Sequence, residues 1–464
     1  MEDNEISPRV CLNCRSGKRK CDKTLPACSR CSRLQLHCKY SPQSYEHASS
    51  RMVWSIVADY THRMSRIRTS YTIMQQDDSF ITTYFSTIHT WLPIINKSRF
   101  QSHIEIHPCD SKELLLLMSM HLIVQRPDSQ PVRGMMDNEQ YRAIKQLYSN
   151  LFLEAEGSPS TEILQSGVLL ATYEYGHGMV DTACHTLSLC ISAGMASGLH
   201  RSRVPSVSDL ENMESTWSST NELIRTWWAI VISDRLFCLS FPPGQRIALT
   251  KVPEDDVDDF LDNFANSVDG KKYSSPNQKT SIARAFYSQI QTSILIERVI
   301  RFINKADSCL QPNNAQFKVL DSKIRQIIHV ALEAETTKLN SISEALAAGR
   351  NALLLLHQWC LDSSIFPAYT QEATESRMAI ETMTRIMVET CREFLPKIYA
   401  GWSKSHHPHG TQLVFLAALQ LRRSHATTSG QGNLGILKEM LQIQSRRWHI
   451  AAKNLEEIKR LESV

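Results

Sequence analysis

The sequence predicts a mainly α protein, a small metal-organised module at the N-terminus followed by a large all-helical domain. Three observations predict it. Six of the 13 cysteines fall between Cys11 and Cys38. Apolar residues recur at helical spacing through the rest of the chain, and no sustained period-two alternation marks strands. The expected boundaries are 7–42 for the module, 43–75 for a linker with a short amphipathic helix, and 76–464 for the helical domain.

The start, MEDNEIS, is acidic and has no apolar stretch, so it does not read as a secretory signal. Residues 1–40 hold nine Lys/Arg against four Asp/Glu, a balance of +5, and the remaining residues balance at −1. The excess positive charge therefore sits in one short segment, which should face a polyanion.

That segment also carries Cys11, Cys14, Cys21, Cys28, Cys31 and Cys38, a C-x2-C-x6-C unit repeated in tandem. Six thiolates cannot fill two separate tetrahedra, which need eight positions, so two sulfurs must be shared. The repeat makes Cys11 and Cys28 equivalent and the natural pair to share. Soft thiolates in this number favour zinc, and two zinc ions are the expected cofactor. A three-disulfide framework fits poorly without a secretory context, and iron–sulfur clusters take other spacings. The apolar residues here, Val10, Leu12, Leu25, Leu34 and Leu36, are too few for a core. Metal must supply the folding energy.

The string CLNCRSGKRKCDKTLPACSRCSRLQLHCKYSP, residues 11–42, resembles the fungal binuclear zinc cluster family of transcription factors. All six cysteines fit, as do the basic run after Cys14, the Cys21-Asp22 step and Pro26. The resemblance implies two short helices around two zinc ions bridged by Cys11 and Cys28. It also implies that the end of the first helix enters the major groove of double-stranded DNA and reads CGG-like triplets. The lysine at the position of Lys18 would contact guanine, whose N7 and O6 suit a cationic donor. Arg15, Arg19, Lys20 and Lys23 are assigned to phosphates, which position the module without specifying sequence. Six thiolates and two zinc ions carry a net −2, so the nine basic side chains leave the module cationic. Gly17 departs from the family pattern, which often has a base there. Read as helix interior it costs about 1 kcal/mol, which predicts weaker affinity or more reliance on dimerisation. The string GKRK also suits a nuclear import signal, and the nucleus is the expected location.

Residues 43–50 read as a polar linker. Val53, Ile56, Val57, Tyr60, Met64 and Ile67 then recur at helical spacing. Packing on the large domain suits this helix better than a dimer seam, because Arg63 holds a d-type position and no third heptad follows. A homodimer is the alternative it leaves open.

From residue 76 the pattern is helical. Tyr141, Ile144, Leu147, Tyr148 and Leu151 line one face. Ser158-Pro159 suits a cap and first-turn pair. Ile324, Ile327, Ile328, Ala331 and Leu332 line another face, and Leu437, Leu441, Trp448, Ala452, Leu455 and Ile458 read as one long final helix. Breaks fall near Gly157-Ser158 and at 266–280, 403–412 and 425–433. The longest apolar run, Leu114 to Val124, is 11 residues, against roughly 20 for a membrane span.

Three stretches resemble the fungal regulatory domain called the middle homology region: YFSTIHTWLPIINKSRF at 84–100, YEYGHGMVDTACHTLSLCISAGMASGLHR at 173–201 and ELIRTWWAIVISDRLFCLSFPPGQRIALTKVPEDD at 222–256. The resemblance implies an all-helical regulatory domain, an effector or protein partner in some members, contact with the transcription machinery, and no enzymatic activity. Trp227, Trp228, Asp234 and Arg235 carry the third match and read as core with an internal ion pair. Asp255, Asp256, Asp258, Asp259 and Asp262 around Phe260 and Leu261 read as a solvated segment, with an activation segment as the alternative. His406, His407 and His409 have no nearby cysteine or carboxylate in sequence and read as an exposed loop. Cys109, Cys184, Cys190, Cys238, Cys309, Cys360 and Cys391 read as small buried hydrophobes. No Walker-type loop, G-x-S-x-G elbow or H-E-x-x-H helix occurs.

The expected function is thus a sequence-specific RNA polymerase II transcription factor, a pathway-specific activator. The size and short linker resemble those of regulators within secondary-metabolite gene clusters. A repressor is the runner-up, since no long acidic tail follows the final helix. A zinc-dependent protein-interaction module that ignores DNA is the reading from another class.

Overall fold

The computed structural model of the chain describes residues 7, 10–40, 79–106, 110–125, 139–155, 159–206, 208–210, 212, 218–241, 245, 247–252, 278–308, 314–335, 343–363, 369–399, 407–423 and 428–463. The chain divides into two compact units, Met1–Ile73 and Met74–Val464. The amphipathic helix expected over 53–67, the acidic cluster at 255–262, His406, Cys109 and Cys309 lie outside the described residues.

The small unit holds two one-turn helices, α1 (Leu12–Ser16) and α2 (Ser29–Arg33). Its leucines do not form its interior. Leu12, Leu25, Leu34 and Leu36 are all exposed, while Cys11, Cys14, Cys28 and Cys31 are fully buried, with Val10, Cys21, Cys38 and Tyr40 packed against them.

The large unit is helical, and no strand forms among the described residues. Its first part comprises α3 (Ser79–Ser86), α4 (Lys97–Ile106), α5 (Ser111–Val124), α6 (Glu139–Glu154), α7 (Thr161–Gly176), α8 (Val180–Ala196) and α9 (Ser219–Cys238). The apolar run Leu114–Val124 forms most of α5. It is apolar on nearly every side because it is surrounded: Leu115, Met120, Leu122 and Ile123 have at most 1% of their surface exposed. No described helix is long and apolar enough to cross a membrane. Helix α7 is buried from Ile163 to Gly176 and packs against α5, α6, α8 and α9. Its one charged residue in that stretch, Glu174, accepts hydrogen bonds from Tyr141 Oη at 2.7 Å, Lys145 Nζ and Thr186 Oγ1. Desolvation is offset because the carboxylate is both paired and hydrogen-bonded.

The second part comprises α10 (Gln278–Ser308), α11 (Asn314–Glu335), α12 (Ser343–Asp362), α13 (Gln371–Tyr399), α14 (Gly410–Arg423), α15 (Thr428–Gln444) and α16 (His449–Glu462). Helix α10 joins it to the first part through α9. Trp227 and Trp228 are buried there, and Arg235 pairs with Asp234 at 2.9 Å and with Glu297 of α10. Arg235 also donates to Thr250 O at 2.8 Å, and Asp234 accepts from Thr250 N at 2.8 Å. The expected ion pair is therefore a clamp joining α9, α10 and the segment after α9.

Four expectations need correction. The final helix is two helices, because the chain turns at Ser445–Arg447 before Trp448 caps α16. The helix expected after Ser158-Pro159 begins at Thr161 with Ser160 as its N-cap residue. The breaks at 403–412 and 425–433 are shorter, since α14 starts at Gly410 and α15 at Thr428. His407 and His409 are buried, not exposed: His407 Nδ1 lies 3.6 Å from a carboxylate oxygen of Glu344 on α12, and the His409 ring lies 4.6 Å from that of Tyr175. Of the scattered cysteines, Cys190, Cys238, Cys360 and Cys391 are buried and Cys184 is half-buried.

Candidate metal centre and nucleic-acid interface

The folding of residues 10–40 follows from the repeat in the sequence. Cys11 and Cys28 occupy the N-cap positions of α1 and α2 with extended backbone, φ −63° and −68°, ψ 155° and 147°. Each side chain accepts a hydrogen bond from the third residue on: Cys14 N to Cys11 Sγ and Cys31 N to Cys28 Sγ, both at 3.4 Å. A thiolate thus fills the role a serine or aspartate plays at other helix starts.

The helices also end alike. Lys18 N reaches Arg15 O at 3.2 Å and Arg19 N reaches Cys14 O at 2.8 Å. In the second half Gln35 N reaches Ser32 O at 3.1 Å and Leu36 N reaches Cys31 O at 2.9 Å. These pairs form a Schellman end in each half, with a left-handed residue where glycine is usual. Those residues are Lys18, φ 49°, and Gln35, φ 53°. Gly17 is the C-cap of α1 with φ −82°. The cost expected of a glycine inside a helix therefore does not arise.

The six sulfurs gather into two overlapping groups, Cys11/Cys14/Cys21/Cys28 and Cys11/Cys28/Cys31/Cys38, each with its ligand atoms within 4.8 Å of one another. The sulfurs common to both are those of Cys11 and Cys28, 3.7 Å apart. Cys11–Cys31 and Cys14–Cys28 are also 3.7 Å apart. A zinc–sulfur bond of about 2.3 Å gives a tetrahedral edge of about 3.8 Å, whereas a disulfide would bring sulfurs to about 2.05 Å. The donor set therefore fits two zinc ions. Burial pushes the Cys31 thiol up, an obstacle to ionisation that a bound cation removes.

Around this core lie smaller ties. Asp22 accepts from Ser29 N at 3.1 Å at the start of α2, and its bonds to Ser29 hold the carboxyl below the usual carboxylate range. Asn13 Nδ2 donates to His37 O at 2.5 Å, and Leu12 N to Lys39 O at 2.8 Å, binding the first half to the second. Tyr40 Oη donates to Thr24 O at 2.8 Å. Arg30 Nη1 lies 4.0 Å from Cys14 Sγ. Arg30, at the position Asn13 holds in the first half, is not among the expected site residues, and its approach to Cys14 comes from the fold, not from the spacing.

Arg15 sits in the last turn of α1, and Lys18, Arg19 and Lys20 follow in the turn beyond it, all exposed. Lys23 is half-buried with φ 63°. Among the described residues none of the five pairs with a carboxylate. Lys18, Arg19 and Lys20 are consecutive in the turn that closes α1, next to Arg15 in its last turn, and make a cationic tip.

Among the described residues, one arrangement in the large unit imitates catalytic chemistry. His357 Nδ1 lies 2.9 Å from Ser376 Oγ, and its Nε2 lies 2.9 Å from Asp321. Ser376 is fully buried between helices and cannot meet a substrate. The trio fastens α11, α12 and α13 together.

Two family models match the chain. The one described as Fungal specific transcription factor domain matches residues 81–374, and the one described as Fungal Zn(2)-Cys(6) binuclear cluster domain matches residues 9–46. The chain is 32% identical over 158 residues to Transcription factor BOA15 of Botryotinia fuckeliana, covering 33% of this chain and 85% of that protein. Over 35 residues it is 54% identical to Regulator of drug sensitivity 1 of Saccharomyces cerevisiae and 49% identical to Transcription factor gsfR2 of Penicillium aethiopicum. Each of these two matches covers 8% of this chain, and they span 4% and 8% of those proteins. No solved structure matches the chain.

Proposed function

Because the chain belongs to the fungal-specific transcription factor family and carries its binuclear zinc cluster domain, we propose that it acts in the nucleus as a sequence-specific activator reading CGG-type triplets through the tip at Lys18. It is a zinc-dependent DNA-binding transcription factor and not an enzyme. In this reading Cys11, Cys14, Cys21, Cys28, Cys31 and Cys38 would hold the two zinc ions, Cys11 and Cys28 belonging to both sulfur groups. The bound ions supply the charge that keeps six thiolates together in a unit without an apolar core. The chain's own part is to fix α1 and its end, so that Lys18 projects from a rigid turn toward guanine N7 and O6. Arg15, Arg19, Lys20 and Lys23 hold phosphates and release counterions.

One observation carries this reading: a cationic tip without acidic partners is built directly on a shared-sulfur cluster. Pathway-specific activation, a homodimer, an effector and recruitment of the transcription machinery go with it as further parts. Control of a secondary-metabolite gene set is the finest of these and rests on the size and linker noted above.

The test uses the full chain. Two zinc ions per chain are expected, together with preference for a CGG-bearing duplex over a random competitor. Lys18→Ala should lose about 1–3 kcal/mol of that preference. A metal content other than two, or equal binding to both duplexes, overturns the reading. Unchanged DNA preference in Lys18→Ala would point instead to a module whose target is protein. A reporter assay with the gene deleted separates activator from repressor by the sign of the change.

A further inference from the structure

The two halves of the cluster module share a backbone at a spacing of 17 residues. Caps at Cys11 and Cys28 match in φ and ψ, as do the left-handed residues Lys18 and Gln35. Exchanging the halves also exchanges the two four-sulfur groups and leaves the pair Cys11/Cys28 in place. The module therefore presents two tips of like backbone. What differs is chemistry: Lys18-Arg19-Lys20 on the first, Gln35-Leu36-His37 on the second. Leu34 and Leu36 beside the second are 48% and 45% exposed.

We propose that Gln35, Leu36 and His37 set the polarity with which the module sits on DNA, by withholding from the second tip the cations that the first tip carries. Two tips with one backbone offer two docking poses, and only side chains choose between them. Turned the other way, the module would set Leu36 where Arg19 meets a phosphate. That strips water from the phosphate and returns no partner. A glutamine in the base-reading place suits the N6 and N7 of adenine, not the acceptors of guanine. Fewer counterions are released there, since positions 35–37 hold no lysine or arginine, though Arg33 and Lys39 flank them. Specificity of this kind comes from a penalty on the wrong pose as well as a reward for the right one. An asymmetric half-site is then bound in one direction only.

This inference rests on the assignment of Lys18 given above, and the experiment separates the two. Four zinc-loaded full-length proteins are compared: wild type, Lys18→Ala, the triple substitution Gln35→Lys/Leu36→Arg/His37→Lys, and the triple combined with Lys18→Ala. The probe is a duplex with a single CGG triplet, at fixed salt, beside a random-sequence duplex. Lys18→Ala should weaken binding to the triplet duplex about tenfold or more. The combined variant should recover to within about threefold of wild type, with no matching gain on the random duplex. Its hydroxyl-radical footprint around the triplet should be reversed. Failure to recover, an unreversed footprint, or an equal gain on both duplexes overturns the inference. If Lys18→Ala binds as wild type, the Lys18 assignment fails and takes the inference with it. Zinc content of two per chain verifies that each variant is folded. Gln35→Lys alone, in the Lys18→Ala background, changes one exposed side chain and should restore part of the affinity with the same reversal; no recovery there, in a variant holding two zinc ions, counts against the inference as well.

Discussion

His177 is buried with its ring 4.3 Å from that of Tyr173 and 5.7 Å from that of Trp448. Burial, with Arg447 and His449 adding to it, lowers its pKa to about 3. His89 is lowered to about 3 by burial, Arg225 and Lys97. A histidine depressed in the folded state binds fewer protons than it does unfolded, where it titrates near 6.5. Neither costs stability above pH 6.5, and each costs about 1.4 kcal/mol per unit of pH below that, down to about 3. The melting temperature of the chain is expected to fall between pH 7 and pH 5.5, and His177→Phe should flatten that slope; a pH-independent melting temperature would contradict the burial of the His177 ring. None of this was visible in the residues themselves, since what surrounds a histidine comes from distant parts of the chain. His407 and His409 show the same gap: their sequence neighbours suggested solvent, while Glu344 and Tyr175, from α12 and α7, cover them. The cysteines were legible because their chemistry is local. Six sulfurs repeated at one spacing constrain each other within a 40-residue segment, and two overlapping groups follow from ligand count alone.

Among the elements, the joint between α15 and α16 shows where periodicity misleads. Apolar residues keep helical register across Ser445–Arg447, and no glycine or proline marks the turn. The chain turns there because of what Arg447 and Trp448 reach. Arg447 donates to Gln125 O at 3.1 Å and to Ile123 O, satisfying carbonyls at the end of α5. Trp448 is fully buried against the end of α7, where a Cβ on Gly176 would lie 2.2 Å from its ring. Only glycine permits that approach. Gly176→Ala is expected to destabilise the large unit by about 1–3 kcal/mol, read as a drop in denaturant midpoint, because the ring has no room to withdraw. A variant as stable as wild type would show that Trp448 is not seated there. By contrast, Tyr141, Ile144, Leu147 and Tyr148 are buried as their spacing implied. Leu332, which shared a face with Ile324 and Ile327, is 41% exposed. Amphipathic stripes announce the middle of a packed helix better than its ends, where neighbours stop.

For the whole molecule, two compact units with different interiors should fail separately. Residues 10–40 are centred on sulfur, and the large unit on leucine, isoleucine and aromatic rings. Chelation of zinc is therefore expected to abolish DNA binding and unfold the small unit, while far-UV helicity and the melting transition of the large unit stay nearly unchanged. Loss of most helicity on chelation would mean that the large unit depends on the metal. The family match to 81–374 also understates how far one core extends. Trp448 and Arg447, both beyond it, close on α5 and α7 within it.

A cluster interior made of sulfur leaves Leu12, Leu34, Leu36, Lys18, Lys20 and Gln35 without packing duty. In the proposed reading, a codon change at the exposed tip redirects the module to a different operator while the six ligands keep it folded. Evolution can then rewrite the address this small unit answers to without disturbing the machinery carried behind it.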